Sequence, residues 1–178
     1  MTDDAAWPLA QHVCRTGYAD LPASAIQSAR RDILDTFGCM LGGSVSPGID
    51  ELCTVIGRWG GLEESRVLLR GTRVPAPQAA LLNASMGHAL DFDDTLDSGG
   101  SIHPGVSVLA AVLAVADSLG SVSGRDVLLA VALGLDISCR IALASTMDRG
   151  WALGLAGGGN RCNWIITSLL VSPRQMER

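Results

Sequence analysis

The segment that most constrains the fold of this 178-residue chain runs from Pro104 to Leu119. It begins with proline, ends before Gly120 and contains a strictly apolar run from Val108 to Ala116. Proline is favoured at the first helical position and glycine just after the last, so the segment predicts a helix. The apolar run is far shorter than a bilayer span. A helix that is apolar on nearly every side must be enclosed by neighbours, and the sequence does not show clearly which segments would enclose it.

Five other segments have helical periodicity between turns that contain glycine or proline; they cover approximately residues 3–16, 22–41, 46–60, 78–90 and 123–144. In the second of them the apolar face is predicted to comprise Ile26, Ala29, Ile33, Leu34, Phe37 and Leu41. The only early strand candidate is Val67–Leu69. The composition is 48% hydrophobic but only 4% aromatic, which favours closely packed helices over a β-sandwich. We therefore predict an all-α, helical bundle-like domain.

Composition and charge exclude several kinds of partner. The net charge is −5 and all thirteen basic residues are arginine, so no basic stripe for nucleic acid and no catalytic lysine are expected. The acidic N-terminus does not resemble a secretory signal, and no segment predicts a membrane span. The five cysteines are scattered without a Cys-x-x-Cys spacing, which predicts small buried side chains in a reducing, cytoplasmic setting rather than a disulfide or zinc framework.

Four aspartates and two of the three histidines of the chain lie between residues 88 and 105, where the fourth predicted helix ends and the fifth begins. The stretch from His88 to Thr95 is followed by a Gly99–Gly100 hinge and then by His103. Pro104 makes His103 the predicted N-cap residue of the fifth helix. The positive helix end disfavours the imidazolium while nearby carboxylates favour it, so His103 can exchange protons near neutral pH. The same helix end is a natural docking place for a substrate carboxylate.

Two other interpretations of this stretch stay open. In the first, the aspartates are helix caps and solvated loop residues, and His103 is an N-cap without catalysis. In the second, Asp91, Asp93 and Thr95 form the Asp-x-Asp-x-Thr pattern of haloacid-dehalogenase-type phosphatases, which bind Mg²⁺. That chemistry requires the first aspartate at the end of a buried parallel strand. The residues before Asp91 are helix-like, and no alternation of strands and helices surrounds them, which disfavours the phosphatase.

The string His88-Ala-Leu-Asp-Phe-Asp-Asp-Thr95, with His103-Pro-Gly after it and Ala-Leu-Leu-Asn-Ala-Ser-Met-Gly before it, closely resembles the MmgE/PrpD family. That family includes 2-methylcitrate dehydratase, cis-aconitate decarboxylase and iminodisuccinate epimerase. The resemblance extends over residues 5–151, including the 24–43 helix, the Gly-Thr72 segment and the 123–126 helix start. It implies the N-terminal, all-helical region of the family.

The resemblance also implies an activity. The expected site is metal-independent and free of cofactors, and it performs proton transfer or elimination next to a carboxylate of a small di- or tricarboxylic acid. A 2-methylcitrate dehydratase-like enzyme would act in propionate metabolism, as a cytoplasmic homodimer. By position, the catalytic residues would be His103 as acid/base, Asp91 as an orienting group and Thr95 as a hydroxyl donor. The residues expected to bind substrate or shape the loop are His88, Asp93 and Asp94.

Two departures from the family pattern affect this interpretation. The family has active-site lysines further along a longer chain, and this sequence contains no lysine. After Arg149-Gly150-Trp151 no further resemblance is found. We therefore expect residues 1–151 to be a partial helical domain and residues 152–178 to be a divergent tail of a truncated or frame-shifted member. The alternative function is an inactive remnant or a helical interaction module.

We predict that the isolated chain is inactive and tends to associate. Residues 104–119 are apolar around most of the helix circumference, and residues 127–135 contain no polar side chain. Uncovered patches larger than a few hundred Å² mark association or aggregation. Size-exclusion chromatography should show dimers or larger species, with strong binding of the dye ANS and no turnover of tricarboxylates. A monodisperse, ANS-silent monomer with dehydratase activity would contradict the truncation hypothesis.

Overall fold

A computed structural model describes residues 6–96 and 102–144 of the chain. The helices are α1 (Ala6–Arg15), α2 (Ala23–Gly43), α3 (Ile49–Trp59), α4 (Ala76–His88), α5 (Pro104–Leu119) and α6 (Gly124–Ala144). A short 3₁₀ turn (Tyr18–Asp20) follows α1. Strands β1 (Ser65–Val67) and β2 (Thr72–Val74) form an antiparallel pair between α3 and α4. The predicted all-α fold is thus confirmed. The predicted Gly99–Gly100 hinge and the tail at 152–178 lie outside the described residues.

Local sequence sets the ends of the helices that flank the site. Pro104 is the first residue of α5, and His103 is its N-cap residue, as predicted. At the start of α6 the hydroxyl of Ser123 accepts a hydrogen bond from the backbone N–H of Asp126 at 3.2 Å and donates one to its carboxylate at 2.8 Å. The first of these bonds satisfies one of the backbone N–H groups that a helix start leaves free.

The apolar helix α5 is covered by other parts of this chain, which the sequence did not make clear. It packs against α2, α4, α6 and β1. Two glycines permit close approach: a Cβ at Gly87 of α4 would collide with Val106, and a Cβ at Gly134 of α6 would lie 2.6 Å from Val108. Burial of Val108, Leu109 and Val112 stabilises this core through the hydrophobic effect. The uncovered apolar patch that we expected at this helix is therefore not found, because the described part of the chain covers most of it.

The inner face of α2 differs from the predicted one. Leu34 and Leu41 are 76% and 62% exposed, and Phe37 is 38% exposed. Thr36 is fully buried and Asp32 is partly buried instead. The exposed apolar surface of the described chain therefore includes a stripe along the outer side of α2, which we call the α2 stripe (Leu34, Phe37 and Leu41).

Close packing of α2 on α4 explains this rotation. A Cβ at Gly43 would overlap the carbonyl oxygen of Met86 in α4, so the two backbones touch at this point. Ala29, at the other end of α2, is fully buried. Ala29, Gly43 and Met40 thus face the other helices, whereas the residues of the α2 stripe do not. Close packing against α4 therefore sets the orientation of α2, whereas the pattern of hydrophobic residues alone predicted a different orientation.

The β-hairpin is attached to the helices by buried polar side chains. Asn83 of α4 accepts a hydrogen bond from the Leu68 N–H at 2.9 Å and donates one to the Arg66 carbonyl at 3.1 Å. The hydroxyl of Ser65 donates to the Ala114 carbonyl of α5 at 2.6 Å. The strand predicted at Val67–Leu69 is confirmed for Val67, whereas β2 was not predicted. Strands of three residues carry too little alternation to be recognised.

Among the described helices, α6 is long and apolar enough to cross a membrane by length and composition, with a mean hydropathy of 2.0. Its buried residues pack inside the domain: Leu129, Leu133 and Ile137 form one buried cluster with Val13 of α1. Core helices commonly pass the same test, so the finding is weak support for a membrane span.

The described cysteines form no disulfide, as expected from their spacing. Cys39, Cys53 and Cys139 are half-buried, whereas Cys14 is exposed on α1, contrary to the expectation of buried thiols. Cys162 lies outside the described residues.

Candidate active site

The site is assembled where α4 ends and α5 begins. His88 is the last residue of α4, and His103 is the N-cap residue of α5. The two ends of the connecting loop are held together because the Leu96 N–H donates a hydrogen bond to the Ile102 carbonyl at 3.0 Å. This bridge brings the aspartates after His88 next to His103. As predicted, Asp91 lies in a loop between two helices, so the parallel strand that a phosphatase requires does not precede it.

Asp93 is the buried centre of the site. Its side chain has no exposed surface, and both of its carboxylate oxygens lie 3.0 Å from Nδ1 of His88. A hydrogen on Nδ1 of His88 would be donated to this carboxyl group, since an ionised carboxylate only accepts hydrogen bonds. His88 itself is half exposed. From the sequence, Asp93 was predicted to bind substrate or to shape the loop, and this stays a prediction.

His103 lies between a buried and an exposed carboxylate. Its Nδ1 is 3.5 Å from Oδ2 of Asp93, and its Nε2 is 3.7 Å from Oδ1 of Asp91. The Nδ1 atom is buried and has no hydrogen-bond partner within residues 6–96 and 102–144. The ring packs edge-to-face on His88, with centroids 4.8 Å apart.

Asp91 and Thr95 lie on the exposed side of this loop. The side chain of Asp91 is 78% exposed, and its backbone has a φ of 54°. That left-handed conformation is uncommon for residues other than glycine, although aspartate and asparagine adopt it more readily than most. Thr95 is exposed two residues after the buried Asp93. The structure therefore brings Asp91 to His103, while Thr95 occupies the outer edge of the site.

A carboxyl pair missed by the sequence lies behind the loop. Asp94 accepts a hydrogen bond from the Gly105 N–H at 2.9 Å and so caps α5. Asp32 of α2 reaches the same place: a Cβ at Gly105 would collide with Oδ1 of both Asp32 and Asp94. The available indication was a polar residue at helical spacing from buried Ala29 and Thr36, which places Asp32 on the inner face of α2.

Burial and mutual repulsion raise the pKa values of this pair. The pKa of Asp32 is raised to about 7, mainly by burial and further by the charges of Asp94 and Asp35. The pKa of Asp94 is raised to about 6 by burial. The hydrogen bond from Gly105 and the nearby His103 oppose this rise, whereas Asp93 and Asp35 add to it. Such shifts are frequent at functional sites, although structural networks also produce them.

Four side chains of the site have the chemistry and spacing of metal ligands. One ligand atom from each lies within 4.8 Å of the others in the set His88, Asp91, Asp93 and His103. Imidazole and carboxylate are ligands for zinc and for several other divalent metals. A metal at His88 Nδ1 would have to displace the hydrogen that faces Asp93. The sequence predicted no metal, and this stays a prediction that chelation can test.

The sequence of this chain is similar to one known family and to several of its members. The MmgE/PrpD N-terminal domain model matches residues 8–158. A cis-aconitate decarboxylase-like protein of Aspergillus oryzae, oryM, is 30% identical over 170 residues, which cover 89% of this chain and 35% of that protein. The cis-aconitate decarboxylase of Aspergillus terreus is 27% identical over 167 residues, 89% of this chain and 34% of its own length.

The human cis-aconitate decarboxylase is 29% identical over 138 residues, which cover 73% of this chain and 27% of that enzyme. The chain thus spans about a third of the length of the curated relatives it matches.

Proposed function

Because the chain belongs to the MmgE/PrpD family through its N-terminal domain, we propose that residues 88–96 and 102–105 form part of the active site of a lyase. The substrate would be a small di- or tricarboxylic acid, with the reaction next to one of its carboxylates. The observation that carries this proposal is the position of His103, which lies at the start of α5 between the buried Asp93 and the exposed Asp91. The matched relatives are named for the decarboxylation of cis-aconitate, which belongs to this substrate class.

In the proposed mechanism, His103 is the acid/base. Its Nδ1 faces buried Asp93, so the positive charge of a protonated ring is compensated there. Its Nε2 points toward the exposed side, where Asp91 lies 3.7 Å away and a substrate can approach. The Nε2 atom would then take a proton from the carbon next to a substrate carboxylate, or return one to that carbon. Loss of a hydroxyl group after proton removal gives dehydration, whereas protonation after loss of CO₂ completes decarboxylation.

The site as described is rich in negative charge, which affects how a polycarboxylate could bind. Asp91, Asp93 and Asp94 all lie around it, and the Gly105 N–H is already engaged by Asp94. One of the helix-end donors expected to hold a substrate carboxylate is therefore used within the protein. We propose that these residues supply proton transfer, and that binding of the substrate's charges depends on groups beyond the described residues.

The proposal is tested by assaying a full-length protein that contains this domain with cis-aconitate and with 2-methylcitrate. We expect release of CO₂ or water from at least one of them, with turnover unchanged by EDTA, because no step uses a metal. If turnover is lost in EDTA and restored by Zn²⁺ or Mn²⁺, the metal-free mechanism is wrong and the His88–His103 set binds the metal. If neither acid reacts under any condition, the lyase assignment fails.

The second candidate is a helical interaction module without catalysis. It is favoured by the exposed α2 stripe, because large apolar side chains aligned on one helix face commonly mark contact surfaces. Measurements of turnover and of association distinguish the two candidates. The lyase requires turnover that depends on His103, whereas the module would leave every acid unchanged and would lose its association with another chain when Phe37 and Leu41 become polar.

A further inference from the structure

We propose that His88, Asp93 and His103 form a binding site for Zn²⁺, and that the bound ion blocks proton transfer by His103. The ion takes no part in the proposed reaction. It would lie between the buried carboxylate and the two imidazole rings, which are ligand types that zinc accepts. The binding is argued from the geometry of these side chains alone, whereas the inhibition rests on the proposed function.

Three ligand atoms of this set already have the spacing of a zinc site. Nδ1 of His88 is 3.0 Å from Oδ2 of Asp93, and Nδ1 of His103 is 3.5 Å from the same oxygen. In a tetrahedral site with metal–ligand bonds of about 2.0–2.1 Å, neighbouring ligand atoms are about 3.3 Å apart. The two measured distances lie on either side of that value, so the ion requires only small shifts of the side chains.

The buried Nδ1 atom of His103 indicates that a positive group belongs at this position. It lies 3.5 Å from an oxygen of Asp93, yet it makes no hydrogen bond to any residue that the structure describes. If the ring is neutral and carries its hydrogen on Nε2, the lone pair of Nδ1 lies opposite a carboxylate oxygen. Two electron-rich atoms then face each other beside a carboxylate that has no exposed surface. Either a proton on Nδ1 or a metal ion removes that repulsion.

The surroundings of the three ligands favour a cation and hold the rings in place. His88 and His103 lie at the ends of two helices, and their rings pack edge-to-face at an interplanar angle of 65°. In the described part of the chain, Asp91 and Asp93 form ion pairs with these histidines and not with arginine. A ligand oxygen of Asp91 lies within 4.8 Å of the other ligand atoms, so this exposed side chain can supply the fourth ligand. Two carboxylates would then balance the double charge of the ion.

A metal ion on Nδ1 of His103 would stop the proposed proton transfer. A neutral imidazole that binds a metal through Nδ1 carries its hydrogen on Nε2. The Nε2 atom then has no lone pair to accept a proton from the substrate. His88 would likewise carry its hydrogen on Nε2, so each neutral ring keeps one hydrogen and binding requires no net loss of a proton from the rings.

Binding is tested on the chain itself, without an assay of turnover. After treatment with EDTA and dialysis, calorimetric titration with ZnCl₂ should show one ion bound per chain. His88→Gln and Asp93→Asn should each weaken binding by more than about tenfold, since even the loss of a group that only orients a ligand costs about 10–100-fold. His88 is half exposed, so His88→Gln tests the site even if the buried Asp93→Asn variant does not fold. His12→Gln removes a histidine from another His–Asp pair and should leave the affinity unchanged.

Co²⁺ in place of Zn²⁺ identifies the ligands, because its absorption spectrum depends on the type and number of the ligand atoms. Nitrogen and oxygen ligands should give visible bands without the near-ultraviolet band of a cobalt–thiolate bond. A thiolate band would place the ion on a cysteine such as the exposed Cys14 and would overturn the site. Equal affinity in His88→Gln and in the wild type would overturn it as well.

Turnover in a full-length protein with this domain separates this proposal from the lyase assignment. Saturating Zn²⁺ should lower the turnover number, and EDTA should restore it. If Zn²⁺ does not bind but turnover depends on His103, the metal site fails and the lyase assignment stands. If Zn²⁺ binds as expected and no acid reacts, the lyase assignment fails and the metal site stands. Binding that leaves turnover unchanged would overturn the inhibition.

Discussion

Turnover in a full-length protein with this domain should fall about 10²–10⁴-fold in His103→Gln, which is the usual contribution of a general acid or base. Glutamine can still form hydrogen bonds at this position, but it cannot take up and return a proton. The buried Asp93 would then face a neutral amide instead of a ring that can become charged. The turnover number with a saturating tricarboxylate is the quantity to measure, together with the far-ultraviolet circular dichroism to confirm an intact fold.

His12→Gln is the matched control for this change. His12 lies on α1, where its Nε2 is 3.0 Å from Asp136 of α6, outside the loop that carries the site. Loss of this partly exposed pair should cost little stability and leave turnover unchanged. Equal turnover in His103→Gln and in the wild type would remove His103 from the mechanism.

Gly43→Ala should be the most damaging of the small substitutions in the helical core. The added Cβ would overlap the backbone carbonyl oxygen of Met86, and neither helix backbone can move without disturbing other contacts. Overpacked cores typically lose about 1–3 kcal/mol, and a clash with backbone belongs at the upper end of that range. The free energy of unfolding from urea titration measures the loss.

Gly38→Ala, in the same helix, should have the opposite effect on the free energy of unfolding. No atom outside the neighbouring backbone of α2 lies within 4 Å of a Cβ placed at Gly38, so the methyl group of alanine causes no clash. Alanine also leaves the unfolded chain less conformational freedom than glycine does. Alanine in place of glycine in a helix interior should stabilise the protein by about 0.5–1 kcal/mol. If both substitutions changed stability in the same direction, the close contact between α2 and α4 would be wrong.

The local part of the fold was predictable from the sequence. Proline and glycine fix the ends of α5, and Ser123 marks the start of α6, because these residues act through their own backbone or cap geometry. The orientation of α2 was not predictable in the same way. Hydrophobicity predicted that Leu34 and Leu41 face inward, but the contact of Gly43 with α4 turns them outward. A close approach of two helices depends on both partners, and one segment cannot reveal it.

The candidate site, like the fold, was predictable from the sequence only in part. The sequence placed the aspartates beside His103, yet spacing alone did not show that Asp93 would be buried and Asp91 exposed. That distinction depends on the backbone turn at Asp91, which a residue pattern does not specify. Asp32 was missed because packing brings it to Asp94 from a distant helix. Pairs that meet only through tertiary packing remain hidden until the helices are placed.

The left-handed backbone at Asp91 limits which residues this position can hold. Glycine, asparagine and aspartate adopt a φ of 54° with least strain, so natural variation here is expected to draw mainly on these three. Of the three, only aspartate offers a charge to His103. Position 91 is therefore a practical marker for sorting family members: one with asparagine keeps the shape of the loop without its acid, and one with a β-branched residue must have rebuilt the loop.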